Sequence, residues 1–276
     1  MLERIVTALI LVAVVLACMF ATTAIYPMLG LMTLAALGAG YEWYKLMPPK
    51  NDQPNSKAIA WGCGIVLALL SGLSIFYLSS LWIVLWSASI LVWLMSISWV
   101  RKYPEYDGWY NSSLLYLGVL LIVAAITAIF ALWSMSPWWL MYVFLLVWGA
   151  DSGAYFVGRK LGMRKLAPKV SPNKSIEGLV GGLITSCLII VAVSVLYLDV
   201  APAAFVFFMI LSLITVIASV QGDLVESMIK RRAGIKDSGR ILPGHGGVLD
   251  RVDSLLSATP IFAAGMYCLK ALGFEI

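Results

Sequence analysis

Ser227-Met-Ile-Lys-Arg-Arg-Ala-Gly-Ile-Lys-Asp-Ser-Gly-Arg-Ile-Leu-Pro-Gly-His-Gly-Gly-Val-Leu-Asp-Arg-Val-Asp253 is the one long polar interruption in a chain of 276 residues, 62% of them hydrophobic and only 12% charged. What flanks this island decides the fold. One apolar run ends near residue 220 and the next begins near 254. Each has the length, about 20 residues, that carries a helix across the roughly 30 Å core of a bilayer. Working outward, comparable runs recur at about 5–22, 26–46, 59–78, 81–100, 113–133, 138–158 and 178–198, with 201–220 and 254–272 beside the island. They are continuous rather than alternating, which predicts helices and not a barrel. A mean hydropathy of +0.94 excludes a soluble single domain, whose surface must face water. The expected fold is an all-α polytopic membrane protein with about nine transmembrane helices.

The basic residues orient it. Nine spans place Arg4, then Lys45, Lys50 and Lys57, then Arg101 and Lys102 on one side. The same side receives Arg159, Lys160, Arg164, Lys165, Lys169 and Lys174, and the island's Lys230, Arg231, Arg232, Lys236, Arg240 and Arg251. Eighteen of nineteen cations sort together, with Lys270 the exception. Positive charge accumulates inside, so the N-terminus is expected in the cytoplasm and the C-terminus outside. The first span, followed by Ala21-Thr-Thr-Ala24, has some look of a secretory signal but is read as a retained span. Cys18, Cys63, Cys187 and Cys268 lie singly in four spans with no Cys-x-x-Cys pair, and one histidine completes no usual zinc site.

Two regions differ in kind. Residues 1–135 read as a transmembrane scaffold whose acids sit near cations; Glu42, three residues before Lys45, is expected to pair with it on one helix face. Residues 136–276 read as the catalytic region, with cytoplasmic loops 159–177 and 221–253. Asp151 lies within an apolar helix eight residues before Arg159, about 12 Å along it. It is therefore either a group of the site or a partner for a neighbouring helix. Ser171-Pro-Asn is expected to turn, and Ser175-Ile-Glu-Gly to start a helix. Lys169 and Lys174 either meet anionic headgroups or bind a substrate phosphate.

Asp223, Ser227 and Lys230 share a face of the helix that continues the eighth span, while Glu226 and Lys230 have the spacing of a surface pair. Ala233-Gly234 should end that helix. Pro243-Gly-His-Gly-Gly247 must be a loop whose glycines let backbone amides approach a ligand. Asp250 and Asp253 fall in the first turn of the last helix. Carboxylates from two helix ends, ringed by cations and glycine amides, suit a hard divalent ion with a polyphosphate. No Ser-His-Asp triad, phosphate-loop motif or dinucleotide fingerprint competes. The residues alone give metal-assisted transfer on a phosphate-bearing substrate at the cytoplasmic membrane face. An ion-coupled transporter fits less well, because the charge lies at the margin and no repeat is visible.

Ser227-x-Ile-Lys-Arg, Lys236-Asp-x-Gly and Leu242-Pro-x-His-Gly-Gly-Val-x-Asp-Arg-Val-Asp253 together resemble the signature of the phosphatidate cytidylyltransferases, also called CDP-diglyceride synthetases. Asp151-Ser-Gly and Ser171-Pro-Asn-Lys-Ser-Ile-Glu-Gly178 resemble upstream blocks of that family. The resemblance implies CTP plus phosphatidate giving CDP-diacylglycerol and pyrophosphate, with Mg²⁺ on Asp223 and Asp250 and room for a second, monovalent cation such as K⁺. It places Lys236, Asp237, His245 and Arg251 with those aspartates among the catalytic residues. Asp151, Lys169, Lys174, Ser227, Lys230, Arg231, Gly246, Gly247 and Asp253 would bind substrate. It further implies a homodimer in the bacterial cytoplasmic (inner) membrane, with no nucleic-acid partner. A CTP-dependent lipid-alcohol kinase is the neighbouring alternative, separable by its products.

Overall fold

The computed structural model describes residues 2–20, 25–49, 55–198, 202–242 and 244–273, with side chains from residue 6 onward. Arg4, Ala21-Thr-Thr-Ala24, Lys50 and Pro243, all used above, fall outside that description. The described residues form nine α-helices: α1 (Leu2–Phe20), α2 (Tyr26–Leu46), α3 (Lys57–Tyr77), α4 (Trp82–Arg101), α5 (Ser113–Met135), α6 (Pro137–Leu161), α7 (Ile176–Tyr197), α8 (Pro202–Arg232) and α9 (Leu249–Ala271). Seven of them, α3 to α9, are long and apolar enough to cross a membrane, with α4 extended by a 3₁₀ turn at Ser79–Leu81. The chain is a multi-pass helical membrane protein. The 31 residues of α8 extend about 46 Å, well beyond a bilayer core of roughly 30 Å. Its last turns therefore stand clear of the apolar slab, as the change in sequence at Gln221 predicts.

Helix pairs approach closely where glycines remove side chains from the seam. A Cβ at Gly40 of α2 would lie 2.9 Å from Gly64 Cα of α3, and one at Gly182 of α7 would lie 2.7 Å from the Ala150 carbonyl of α6. Packing of this kind, not apolar transfer, associates helices in lipid. In the core between α6, α8 and α9, Tyr142 stacks on Phe208 and Phe262 packs against both at a tilt, with the Tyr142 hydroxyl 2.7 Å from Ser212 Oγ. At one end of the bundle Trp133 Nε1 donates to the Met19 carbonyl.

The basic loops gather at the other end. Tyr110 of the α4–α5 loop donates to the Leu46 carbonyl, Arg232 to the Pro104 carbonyl, and Lys169 pairs with Glu105. One expectation there is corrected. Ser171-Pro-Asn is not a turn but part of a strand: β1 (Lys165–Ala167) and β2 (Ser171–Ser175) form an antiparallel hairpin, with Lys165 opposite Ser175 and Ala167 opposite Ser171. The reversal is made by Pro168-Lys169-Val170, closed by Val170 N–H donating to the Ala167 carbonyl at 3.1 Å. A two-stranded ribbon has only edges, so the missing N–H of Pro172 disrupts no sheet interior. The ladder runs on into the helix through Ile176 N–H to the Arg164 carbonyl, 2.8 Å. Ser175 then caps α7, its Oγ accepting from Gly178 N–H at 3.1 Å.

Candidate active site

The site begins where α8 crosses α9. A Cβ at Gly222 would sit 2.5 Å from both the Asp253 carbonyl and Ser257 Oγ, so only glycine permits this crossing. The close approach brings Asp253 near enough to the adjacent Asp223 for the two carboxylates to repel. Asp223 is held from both sides: its Oδ2 lies 2.5 Å from Lys174 Nζ at the end of the hairpin, and its Oδ1 accepts from Ser227 Oγ at 3.2 Å. Asp151 of α6 interacts electrostatically with Lys174 and Asp223. Four residues singled out in three separate stretches of sequence, Asp151, Lys174, Asp223 and Asp253, thus share one patch with Ser227.

One turn further along α8, Lys230 points inward. Its Nζ lies 2.5 Å from Glu226 Oε2 and 2.7 Å from Asp250 Oδ1, and all three side chains are nearly inaccessible. The expected surface pair of Glu226 and Lys230 is instead a buried cluster of one cation and two anions. Two helix residues four apart become interior when another helix covers them, and here α9 does so. The remaining oxygen of Asp250 is also engaged: Oδ2 accepts from Gly247 N–H at 2.8 Å and Ser238 N–H at 3.0 Å.

The segment between the helices is folded by a few specific contacts. Gly234, at φ +73°, ends α8 with paired bonds, Gly234 N–H to the Arg231 carbonyl and Ile235 N–H to the Lys230 carbonyl; this is the Schellman arrangement. Further on, Leu242 N–H donates to the Gly246 carbonyl and His245 N–H to the Leu242 carbonyl, with Gly246 at φ +83°. The Arg251 guanidinium clamps this reversal by donating twice to the His245 carbonyl, at 3.1 and 2.7 Å. Gly247 was expected to offer its amide to a ligand; the structure gives that amide to Asp250.

Glu42 is the residue the sequence reading placed elsewhere. It does not pair with Lys45, whose Nζ lies over the Tyr41 ring instead. It is fully buried and accepts from Ser238 Oγ (2.9 Å), Val248 N–H (3.0 Å) and Leu249 N–H (2.8 Å), across some 200 residues of chain. The signal was present: an ionisable side chain in a span, set among Gly38, Ala39, Gly40 and Trp43, is a functional-site candidate by default. Its nearness to Lys45 in sequence supplied a local partner that the fold does not use.

The other expected residues lie around this centre. Lys169 faces Glu105 and away from Asp223. Arg231 braces the hairpin and its own helix end, through the Val170 carbonyl at 3.4 Å and the Ile235 carbonyl at 3.2 Å. Lys236 and Asp237 are exposed on the loop, Asp237 beside Gly246. His245 is half-buried.

The donor chemistry fits a hard cation at Asp223. Asp151, Asp223 and Asp253 outnumber the two lysines that act on them, Lys174 and Lys230, and carboxylate oxygens are the ligands such an ion selects. Among the described residues no three such groups converge on one point. Asp250 is occupied by Lys230 and two backbone amides.

Comparison with known proteins places the chain in a family. The sequence model of the Cytidylyltransferase family matches residues 2–269. A phosphatidate cytidylyltransferase of Haemophilus influenzae is 38% identical over 283 residues, covering 95% of this chain and 96% of that protein. One of Pseudomonas aeruginosa is 37% identical over 266 residues, 95% of each. Another, of Staphylococcus saprophyticus, reaches 50% identity over 126 residues, 45% of this chain and 46% of that one. A match that runs through the scaffold helices as well as the polar island places the whole fold, and not a motif alone, in one lineage: the chain belongs to the cytidylyltransferase family.

Proposed function

We propose that this protein transfers the cytidylyl group of CTP to phosphatidate, releasing pyrophosphate and leaving CDP-diacylglycerol in the membrane. The cytoplasmic face of the bacterial cytoplasmic (inner) membrane is the proposed place, with the N-terminus inside, the C-terminus outside and nine helices crossing. The observation that carries the reading is the juxtaposition of Asp223, Asp253 and Lys174 at the polar end of an apolar bundle. A lipid phosphate arriving in the plane of the bilayer and a triphosphate arriving from water would both reach that point. The names of the relatives support the same substrates.

In the proposed step an anionic phosphate oxygen of the lipid attacks the α-phosphorus of CTP, and the bond from that phosphorus to the β-phosphate bridging oxygen breaks. The attacking oxygen is already deprotonated near neutral pH, so no strong general base is required. Positioning and charge stabilisation supply the rate. Lys174, already at Asp223, would move its charge onto a substrate phosphate, and Lys230 would hold Asp250 in register. Lys236 and Arg251 flank the loop on which the pyrophosphate would leave, with Asp237, His245 and the Gly246 amide at the same surface and Lys169 and Arg231 at its rim. Asp223 and Asp250 would hold Mg²⁺, with a monovalent cation such as K⁺ as a second ion; when bound, the metal would neutralise triphosphate charge. We extend the proposal to a homodimer, supported by the broad apolar outer faces of α3 and α4.

The test is turnover of purified protein in detergent with labelled CTP, phosphatidate and Mg²⁺, following lipid-soluble label and pyrophosphate together. Both products should appear and be lost with EDTA. Asp223→Asn and Asp250→Asn should each lower turnover by about 100-fold or more, on the scale of a lost electrostatic group in a transfer site. Near-normal turnover of both variants in saturating Mg²⁺ would refute the assignment. Lipid phosphate and CDP as products, from a lipid alcohol, would replace the transferase by a kinase.

A further inference from the structure

Helix α9 begins without a cap of its own. Its N-cap residue is Val248, which has no side-chain acceptor, yet the first amides of a helix must find partners. Glu42 supplies them from α2, one oxygen accepting from Val248 N–H and the other from Leu249 N–H. A negative group at a helix N-terminus is stabilised by the helix dipole as well. The same second oxygen accepts from Ser238 Oγ. The loop therefore runs between two carboxylates: Ser238 gives its hydroxyl to Glu42 and its amide to Asp250, and Gly247 and Val248 divide their amides the same way.

The glycines follow from this. A Cβ at Gly239 would lie 2.2 Å from Glu42 Oε1, and one at Gly247 would lie 2.4 Å from Glu42 Oε2 and 2.1 Å from Ser238 Oγ. On α2 itself, a Cβ at Gly38 would strike Val248 at 2.7 Å. Gly239 and Gly247 make room for the Glu42 carboxylate, and Gly38 makes room for Val248.

We infer that Glu42 is a positioning residue for the transfer reaction: by capping α9 and anchoring the 238–249 segment, it fixes where Asp250 stands. This rests on the proposed role of Asp250. A group acting through placement alone changes kcat while leaving KM for CTP near its original value, since about 1 Å of misplacement can cost 100-fold in rate.

The experiment uses the full-length protein in detergent, comparing wild type with Glu42→Gln, Ser238→Ala and, as a control one turn along α2, Lys45→Ala. Two readouts are taken: steady-state kinetics, and hydrogen–deuterium exchange of backbone amides. Glutamine keeps the shape but turns one acceptor into a donor facing an N–H. We expect kcat to fall about tenfold or more with KM for CTP within about twofold, and exchange to rise in peptides over 238–250 with α5 and α6 unchanged. Ser238→Ala should produce a smaller loss that adds nothing in the Glu42→Gln background, and Lys45→Ala should match wild type. Glu42→Gln with normal kcat, or reduced kcat with unchanged protection over 238–250, would overturn the inference. So would exchange rising throughout the bundle, which would make Glu42 a general folding residue. Wild type that is inactive on phosphatidate, but shows the local loss of protection in Glu42→Gln, would refute the substrate and leave the anchoring role standing.

Discussion

The two segments that carry the cytoplasmic chemistry, the hairpin between α6 and α7 and the glycine loop between α8 and α9, are held by opposite means. The hairpin is held mainly from within: its strands pair with each other, its reversal is closed by neighbouring residues and Ser175 caps α7, with Arg231 of α8 adding one contact at the Val170 carbonyl. The glycine loop has one isolated backbone bridge and is otherwise held by side chains outside it, the carboxylates of Glu42 and Asp250 and the guanidinium of Arg251. A segment secured by its own backbone tolerates side-chain changes that a segment secured from outside does not. The first device presents Lys174 to Asp223 and the second presents Asp250 to Lys230, so the contrast can be broken by substitution.

The largest effect should come from Gly247→Ala. The new methyl would have to displace both Ser238 Oγ and Glu42 Oε2, breaking the hydrogen bonds that tie them to each other and to Leu249 N–H. Overpacking of this kind costs about 1–3 kcal/mol, and here it falls on the anchors of Asp250. We expect turnover to drop about 100-fold, with a lower midpoint in thermal unfolding. An active, stable Gly247→Ala protein would mean the loop is as self-sufficient as the hairpin.

That contrast also explains what could be read from the chain. Among the described residues each apolar run falls in a helix, and seven of these helices are long and apolar enough to cross a membrane, because length and continuity are local properties; even the extension of α8 beyond a bilayer's thickness is announced by Gln221 and Asp223. Asp151 was recognisable as a charge within an apolar span, and Lys174, Asp223 and Asp253 as charges of the polar segments, and the fold brings them together. The hairpin was missed because Ser171-Pro-Asn has the composition of a turn, while its pairing partner, Lys165–Ala167, carries no alternating pattern in three residues. Glu42 was missed for the opposite reason. Its partners are 196 to 207 residues away, and nothing near it in sequence announces them. Gly247 was singled out correctly as a close approach, but which group approaches, a ligand or Glu42, is a tertiary fact.

A middle effect is expected at Ser175→Ala. It removes one N-cap acceptor from α7, worth about 1 kcal/mol, but the ladder bond from Ile176 N–H to the Arg164 carbonyl remains to hold the helix start. Unfolding should shift modestly and turnover should stay within about threefold of wild type, because Lys174 is still placed by the strand. A loss as large as that of Gly247→Ala would show that the hairpin depends on its cap as the loop depends on Glu42.

The smallest effect should follow from Lys169→Ala, which sharpens the comparison most finely because Lys169 and Lys174 belong to one hairpin and differ in what they face. Lys174 meets Asp223 in the site; Lys169, at the reversal, meets Glu105 of the α4–α5 loop, and both partners of that pair are well exposed. Solvent-exposed pairs of this kind contribute little and are screened by salt. Stability should not change measurably, and KM for either substrate should stay within about twofold at ordinary ionic strength. A several-fold rise in KM for CTP or phosphatidate, abolished at high salt, would instead make Lys169 part of a basic rim that draws phosphates in before Lys174 receives them. The hairpin would then contribute charge along its whole length and not only at the residue next to Asp223.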